Sequence, residues 1–425
     1  MKLNRRIGII GLGTVGEATL SAIKKYRSLV YKRTELNIEI VKVCDIRKNK
    51  KKLFYRYSVP FTTNPYDIIN DSGIDIVVEL IGGIEPARTY IIESLKKGKD
   101  VVTANKALLA HYGKSIFQLA KKLNRNIGFE ASVCGAVPLI RSISEGLVGC
   151  KVKKLYGILN GTTNYILYRM EKDHLDFSDA LKDAQSKGLA ERYSDLDIKG
   201  VDALHKLSIL SYLCFGVWPK IDNIYVEGIS KVSLLDIMYV EELSYKIKLL
   251  AIAKKEKNEL DLRVHPALVP SEHPLSQVNA SFNAVWLDSY PAGELLFYGE
   301  GAGGVPTSSS VVSDIVNISF AKPRFIQERS SDIKFTKIGS LFNRYYIRFM
   351  AKDRPGVLAK ISKILASFGI SIASVTQKER EKKKFVPIVM LTHEAKEENM
   401  RRALSKIDKL SVIKGPSQLI RIEDL

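Results

Sequence analysis

The chain is predicted to be α/β: an N-terminal doubly wound parallel sheet, an α+β middle region, and a C-terminal module of β-α-β-β-α-β order. Three observations predict this. A glycine-rich turn, Gly11-Leu-Gly13-Thr-Val-Gly16, sits between an apolar run and a helical segment. Short apolar strands then alternate with helical stretches as far as Glu130. After a polar stretch at 321–340, a clear alternation of strand and helix patterns runs to the C-terminus.

The turn comes first because it organises the N-terminal half. Ile7, Ile9 and Ile10 read as a buried strand, and Ala18, Leu20, Ala22 and Ile23 open an apolar-periodic helix behind the glycines. Gly11 suits the tight turn, Gly13 lets a pyrophosphate approach the backbone, and Gly16 lets the helix sit close to the strand. Leu12, Thr14 and Val15 complete this dinucleotide-binding turn, whose helix N-terminus offers free N–H groups to phosphate.

Residues 38–43 alternate as a second strand, ending near Asp45, Arg47, Lys48 and Lys50. An acid there grips the ribose 2′-hydroxyl of NAD, whereas Arg or Lys accepts the 2′-phosphate of NADP. Both types are present, and the reading leans to NADP or dual use. Residues 75–81 form a near-continuous apolar run, as in a parallel strand covered on both faces, and Gly82-Gly83 ends it. Strands follow at 100–103 and 126–130. Lys106 opens the helix between them at the carboxyl edge of the sheet, where it either faces a substrate or lies solvated.

In the middle region a helix is expected at 138–147 and a strand at 152–159. Asn160-Gly-Thr-Thr-Asn164 leads into a further helix, and Asn160, Thr162 and Thr163 are natural N-cap types. A polar loop from Lys187 carries Glu191, Asp195 and Asp197 into the helix beginning at Val201. Asp202 and Lys206 stand four apart and share one face of it. They are either an exposed ion pair or a carboxylate orienting a lysine that handles a proton at a carbonyl oxygen. Leu204, Leu207 and Leu210 are expected on the packed side. A helix at 234–254, strands near 262–265, 279–286 and 294–298, and a glycine-rich stretch at 299–304 before a helix ending near Phe320 complete this part. Residues 321–340 read as a linker.

Composition limits the function. The net charge is +20, from 66 basic and 46 acidic residues. The lysines occur in small scattered groups without a nucleic-acid-binding motif, so a solvated surface that attracts anionic substrates is expected rather than nucleic acid. The longest apolar stretch, 207–218, is too short to span a bilayer. The N-terminus lacks the pattern of a secretory signal, and a cytoplasmic protein without a membrane partner is expected. Four scattered cysteines argue against a disulfide framework or a structural zinc site.

Several segments together resemble homoserine dehydrogenase of the bacterial type with a C-terminal ACT domain. They are 11–16 (Gly-Leu-Gly-Thr-Val-Gly), 101–106 (Val-Val-Thr-Ala-Asn-Lys), 130–138 (Glu-Ala-Ser-Val-Cys-Gly-Ala-Val-Pro) and 157–167 (Gly-Ile-Leu-Asn-Gly-Thr-Thr-Asn-Tyr-Ile-Leu). Further matches are 187–191, 197–206 (Asp-Ile-Lys-Gly-Val-Asp-Ala-Leu-His-Lys) and 301–307. The resemblance covers nearly the whole chain in the family's order. It implies a Rossmann domain at 1–134 with the 305–320 helix returning to it. A substrate-binding and dimerisation domain at 135–320, the linker at 321–340 and a ferredoxin-like ACT regulatory domain at 341–425 complete the implied organisation.

The implied activity is NAD(P)-dependent interconversion of L-aspartate 4-semialdehyde and L-homoserine, on the route to threonine, methionine and isoleucine. By the same resemblance Lys206 would give the proton, Asp202 would orient it, and Lys106 would hold substrate and cofactor. Glu191, Asp197, Thr162 and Gly161 would hold the amino acid. Asp45, Arg47, Gly303 and the 11–16 turn would contact the cofactor. Backbone carbonyls of Glu130, Val133, Gly135 and Val137 would bind sodium or another monovalent cation. Threonine feedback through the ACT domain and a homodimer or homotetramer are also implied. Tyr193-Ser194 stands where the family usually has Asp-Pro, Leu189 where Tyr is common, and Ala136 where a second Gly is usual. The rival readings are a dehydrogenase of another small amino or oxo acid and a catalytically silent amino-acid sensor.

Overall fold

Apolar side chains on both faces of residues 7–10 leave the first strand no solvent side, and it lies buried at the centre of a parallel sheet. The computed structural model describes residues 3–190, 194–323, 333–378 and 385–425. It divides into two compact units, each discontinuous in sequence. One comprises Met1–Lys154, Leu204–Ile221 and Asn283–Ser331; the other comprises Leu155–Ala203, Asp222–Phe282 and Asp332–Leu425.

In the first unit the described strands lie in the order Phe61–Thr62, Leu36–Cys44, Leu3–Ile10, Ile76–Glu79, Asp100–Thr103, Ile127–Gly128. All neighbours are parallel. The strand order reverses between Leu3–Ile10 and Ile76–Glu79, the point beyond whose carboxyl ends such sheets bind ligands. The expected strand at 126–130 shortens to Ile127–Gly128 because Glu130–Ser132 turns into a 3₁₀ segment. The expected helix at 138–147 is Leu139–Arg141 followed by a wider turn at Ser142–Gly146.

The Gly304–Phe320 helix packs on the same sheet, adding Val311, Ile315 and Ile318 to the core of Ile7, Ile9 and Leu20. It approaches the Thr14–Thr34 helix closely: a side-chain carbon at Gly304 would lie 2.8 Å from the Thr14 carbonyl oxygen. Elsewhere in the unit Trp218 stacks on Tyr212 with centroids 4.4 Å apart.

The second unit is built on a mixed sheet. Its described strands run from residues 155–158 through Tyr245–Glu256, Glu259–Pro270, Gln418–Ile422, Phe342–Ala351 and Val386–Thr392 to Ile372–Thr376. The helix expected over 234–254 is not one element. It ends at Glu242, and Tyr245–Glu256 is a strand. Ser244 takes a left-handed backbone (φ 60°) that breaks the helix. The period-2 start Tyr-Lys-Ile-Lys then pairs antiparallel with Glu259–Pro270 over its full length. Burial of the run on both faces had hidden that period. Within the expected linker, Lys334–Phe335 adds a short parallel strand to Glu259–Leu260; 324–332 lie outside the described residues.

The C-terminal module has the expected β-α-β-β-α-β order, with Val357–Ser367 and Glu397–Ile407 sharing one core with the strands. Its last strand pairs antiparallel with Phe342–Ala351 and parallel with Glu259–Pro270, so the module and the preceding strands share one sheet. Buried charges line this seam. Arg421, 1% exposed, pairs with fully buried Glu397 at 2.6 Å, and Arg263 pairs with Glu423 at 3.1 Å. Burial pushes the Glu397 carboxyl up, but Arg421, with Arg401 beside it, outweighs burial and holds it below the ordinary value.

Arg421→Met strands that carboxylate with Arg401 as its remaining charged partner. The variant is expected to lose stability near the lower end of the ~3–5 kcal/mol seen when buried pairs are broken, read from urea unfolding at pH 7. In the native protein Glu397 contributes fully above its unfolded value and loses that contribution as pH falls through its lower folded value. The deficit of the variant therefore shrinks on acidification.

Candidate active site

At the glycine turn each glycine answers to a different contact. Gly11 has φ 100°, and a side-chain carbon there would meet the Leu80 carbonyl at 2.7 Å. One at Gly16 would lie 2.0 Å from the Gly11 oxygen. At Gly13 the space is open, and the helix that begins at Thr14 has no side-chain cap at Gly13. Uncapped N–H groups beside open space suit a phosphate. A cleft of about 430 Å³ opens here, lined by Gly11, Gly13, Asp45, Arg47, Leu80 and Gly82 among others. These residues fit a dinucleotide.

Asp45 and Arg47, which suggest opposite cofactors in the sequence, form an ion pair at 2.8 Å. Asp45 also accepts from the Leu12 and Arg47 backbone N–H groups at 2.8 and 2.9 Å. The hydrogen bond from Arg47, followed by these backbone donors, pulls its pKa down to about 2 against burial. The Arg47 guanidinium also donates to the Leu12 carbonyl at 3.1 Å, so this pair braces the glycine turn. Gly303, at φ 112°, starts the Gly304–Phe320 helix, and the Gly304 contact brings that start beside Thr14.

Thr103 donates to buried Glu79 at 2.7 Å, and Asn105 donates to the Gly83 carbonyl at 2.6 Å while capping the Lys106–Leu123 helix. Lys106 opens this helix half-buried rather than fully solvated. Burial pushes the Glu79 carboxyl up. In the sequence Glu79 is one acid inside an apolar run, and Asn105 stands only within the 101–106 match.

Cys134 and Gly135 both take left-handed backbones, φ 55° and 46°, which turns the carbonyls of this stretch sharply. The Gly135 oxygen accepts from Ser310 at 2.7 Å, the Glu130 oxygen from the Val133 N–H, and the Val137 oxygen from the Leu139 N–H. Each carbonyl keeps a second lone pair. Among the described residues no group of three or more His, Cys, Asp or Glu side chains is placed to hold a metal.

The second unit places the other candidates around the start of the Gly161–Asp173 helix. Asn160 caps it, accepting from the Thr163 N–H at 2.8 Å. Its amide nitrogen donates to Asp197 at 2.7 Å and to Asp202 at 2.9 Å. One side chain thus joins the two acids that the sequence nominates. Thr162 donates to the Leu189 carbonyl at 2.6 Å, fixing the loop leading to Glu191; Glu191 and Tyr193 lie outside the described residues. A side chain at Gly161 would meet the Ser281 oxygen at 2.5 Å.

Asp202 and Lys206 are both buried, 6% exposed each, and the Val201–Phe215 helix carries them one turn apart. This excludes an exposed ion pair. It also corrects the expectation of one packed side, since His205, Ser208 and Ser211 are buried along with Leu204, Leu207 and Leu210. Asn160 is the site residue that sequence reasoning read only as a cap.

Comparison with known proteins accounts for this arrangement. Residues 11–130 match the family "Homoserine dehydrogenase, NAD binding domain", 138–316 match "Homoserine dehydrogenase", and 345–412 match "ACT domain". The homoserine dehydrogenase of Helicobacter pylori is 40% identical over 428 residues, all of both chains. That of Pseudomonas aeruginosa is 38% identical over 99% of each. A crystal structure of the Thiobacillus denitrificans homoserine dehydrogenase superposes with a TM-score of 0.93, at 40% identity over 99% of this chain and 98% of that one. A hyperthermophilic archaeal homoserine dehydrogenase in complex with NADPH matches 77% of this chain and all of its own, with TM-score 0.65 and 26% identity. With an NAD-binding domain, a homoserine dehydrogenase domain and an ACT domain matched in that order, and relatives of 38–40% identity over essentially the full length, the chain belongs to the homoserine dehydrogenase family.

Proposed function

We propose that this homoserine dehydrogenase reduces L-aspartate 4-semialdehyde with Lys206 as the proton donor. The observation that supports this most is the hold of Asn160 on Asp197 and Asp202, one helical turn from a buried lysine. The nicotinamide cofactor supplies hydride to the aldehyde carbon. Lys206 gives its proton to the carbonyl oxygen as the C=O bond opens, and takes it back when homoserine is oxidised. Asp202, on the same helix face, orients the ammonium. Asp197, Glu191, Thr162 and Gly161 hold the amino acid, and Lys106 helps hold substrate and cofactor. A lysine kept from bulk water and aimed by a fixed carboxylate delivers a proton without reorganising solvent.

The cofactor reading is NADP or dual use. Asp45 already accepts from four N–H groups, whereas the half-exposed Arg47 guanidinium, held through Nε and Nη2, can present Nη1 to a 2′-phosphate, with Lys48 following in sequence. The 11–16 turn and Gly303 take the pyrophosphate and nicotinamide side. Sodium or another monovalent cation at the 130–137 carbonyls, threonine as the ACT effector, a homodimer or homotetramer, and a cytoplasmic location complete the proposal. None of the described helices is long and apolar enough to cross a membrane. Full-length relatives named as enzymes support catalysis over a silent sensor.

Lys206→Ala is expected to lower kcat by about 10²–10⁴-fold while NADPH binding, followed by its fluorescence, stays near normal; near-normal turnover overturns the assignment. Arg47→Ala should raise KM for both nucleotides by loosening the turn, and for NADPH about tenfold more than for NADH, the cost of a lost charge-assisted bond. An equal effect on both nucleotides would assign Arg47 to bracing the turn alone. Threonine added to the full chain should slow NADPH oxidation, and a rate indifferent to threonine would leave the ACT module to another amino acid.

A further inference from the structure

One buried titratable group has no part in the proton transfer. Lys248 is 1% exposed, in the interior of the Tyr245–Glu256 strand and opposite Ala267. Burial pushes its amine down to about 8; Glu171 raises it and Lys246 lowers it. Those two pair with each other at 2.7 Å. The Lys248 ammonium donates to the Val278 carbonyl at 2.7 Å and lies 3.5 Å from the Asn164 side-chain oxygen.

Asn164 belongs to the first turn of the Gly161–Asp173 helix. Its amide donates to the carbonyls of Val278, Ala280 and Phe282 at 3.0, 3.0 and 3.3 Å. The Ser281 carbonyl lies where a Gly161 side chain would be. Loop 278–282, with Ala280 left-handed at φ 51°, therefore turns a row of carbonyls toward the helix start. Such a row must find donors. Lys248 and Asn164 supply them from below and above, and both reach Val278. A methionine would fill the same space but leave Val278 one donor short.

We propose that Lys248 is a positioning residue for the substrate site. Through Val278 and Asn164 it seats loop 278–282 under the first turn of the Gly161–Asp173 helix, and so sets where Asn160 holds the Asp197 and Asp202 carboxylates. It acts through its neighbours as a hydrogen-bond donor. The inference rests on the reading of that helix start as the part that holds the amino acid.

The test is steady-state oxidation of homoserine by the full chain carrying Lys248→Met, Asn164→Ser or both. Each single variant is expected to raise KM for homoserine about tenfold, with kcat within about threefold and NADPH binding unchanged, the pattern of lost ground-state positioning. The double variant should be scarcely worse than the more severe single one, because both remove the same loop contact. An unchanged KM in both single variants, a fall in kcat that tracks lost folded protein, or multiplicative effects in the double variant overturns the proposal. If Lys248→Met does not fold, Asn164→Ser must show the split by itself. Near-normal turnover in Lys206→Ala sinks the catalytic reading. An inactive Lys206→Ala beside normal KM in these variants sinks only the role of Lys248.

Discussion

A buried carboxylate and a half-buried one share one amide. Asn160 spends its oxygen on capping the Gly161–Asp173 helix and its nitrogen on Asp197 and Asp202. Acids taken out of water need donors or cations, and the Asn160 amide supplies a donor to both. The cap leaves Asn160 no freedom to turn, so the helix start, the Thr162 hold on Leu189 and the loop under Gly161 all converge on where the two acids stand.

The cofactor end uses a different economy. Its binding surface is backbone, and the side chains around it serve to keep that backbone in place. Asp45 and Arg47 each bond to Leu12, one at its N–H and the other at its carbonyl. The glycines supply close approach where any side chain would collide with Leu80 or Gly11. Charge near the ribose is thus tied to the geometry of the phosphate turn, and a change in one is felt by the other.

In the C-terminal module the last strand belongs to two neighbours at once, parallel to Glu259–Pro270 and antiparallel to Phe342–Ala351. Arg421 and Arg263 are buried along this seam with Glu397, Asp261 and Glu423. Paired charges in a sheet interior fix register, because a slip by one residue would leave each ion without its counterpart. Arg348 adds an ion pair from the module to Asp236 on the Leu234–Glu242 helix at 2.6 Å. An amino acid bound by the module would act on a sheet it shares with the strands before it.

Local patterns in the sequence were enough for the parallel sheet, the glycine turn, the Asp202–Lys206 spacing and the C-terminal β-α-β-β-α-β order. Each rests on short-range periodicity or on residue types with one strong conformational use, such as glycine behind a strand. The resemblance of motifs carried the chemistry, since spacing alone read Asp202 and Lys206 more readily as a surface pair. What was not legible depended on partners distant in sequence. Tyr245–Glu256 became a strand because Glu259–Pro270 pairs along its edge, and both its faces are packed, which erases the alternation that marks a half-exposed strand. Asn160 became more than a cap because Asp197 and Asp202 lie 37 and 42 residues away. Asp45 and Arg47, opposite signals in one dimension, became a single ion pair in three. The sequence by itself determined which backbone shapes and which chemical groups were present. The tertiary structure decided their burial and partners, because desolvation and hydrogen bonding act between residues that only folding brings within reach.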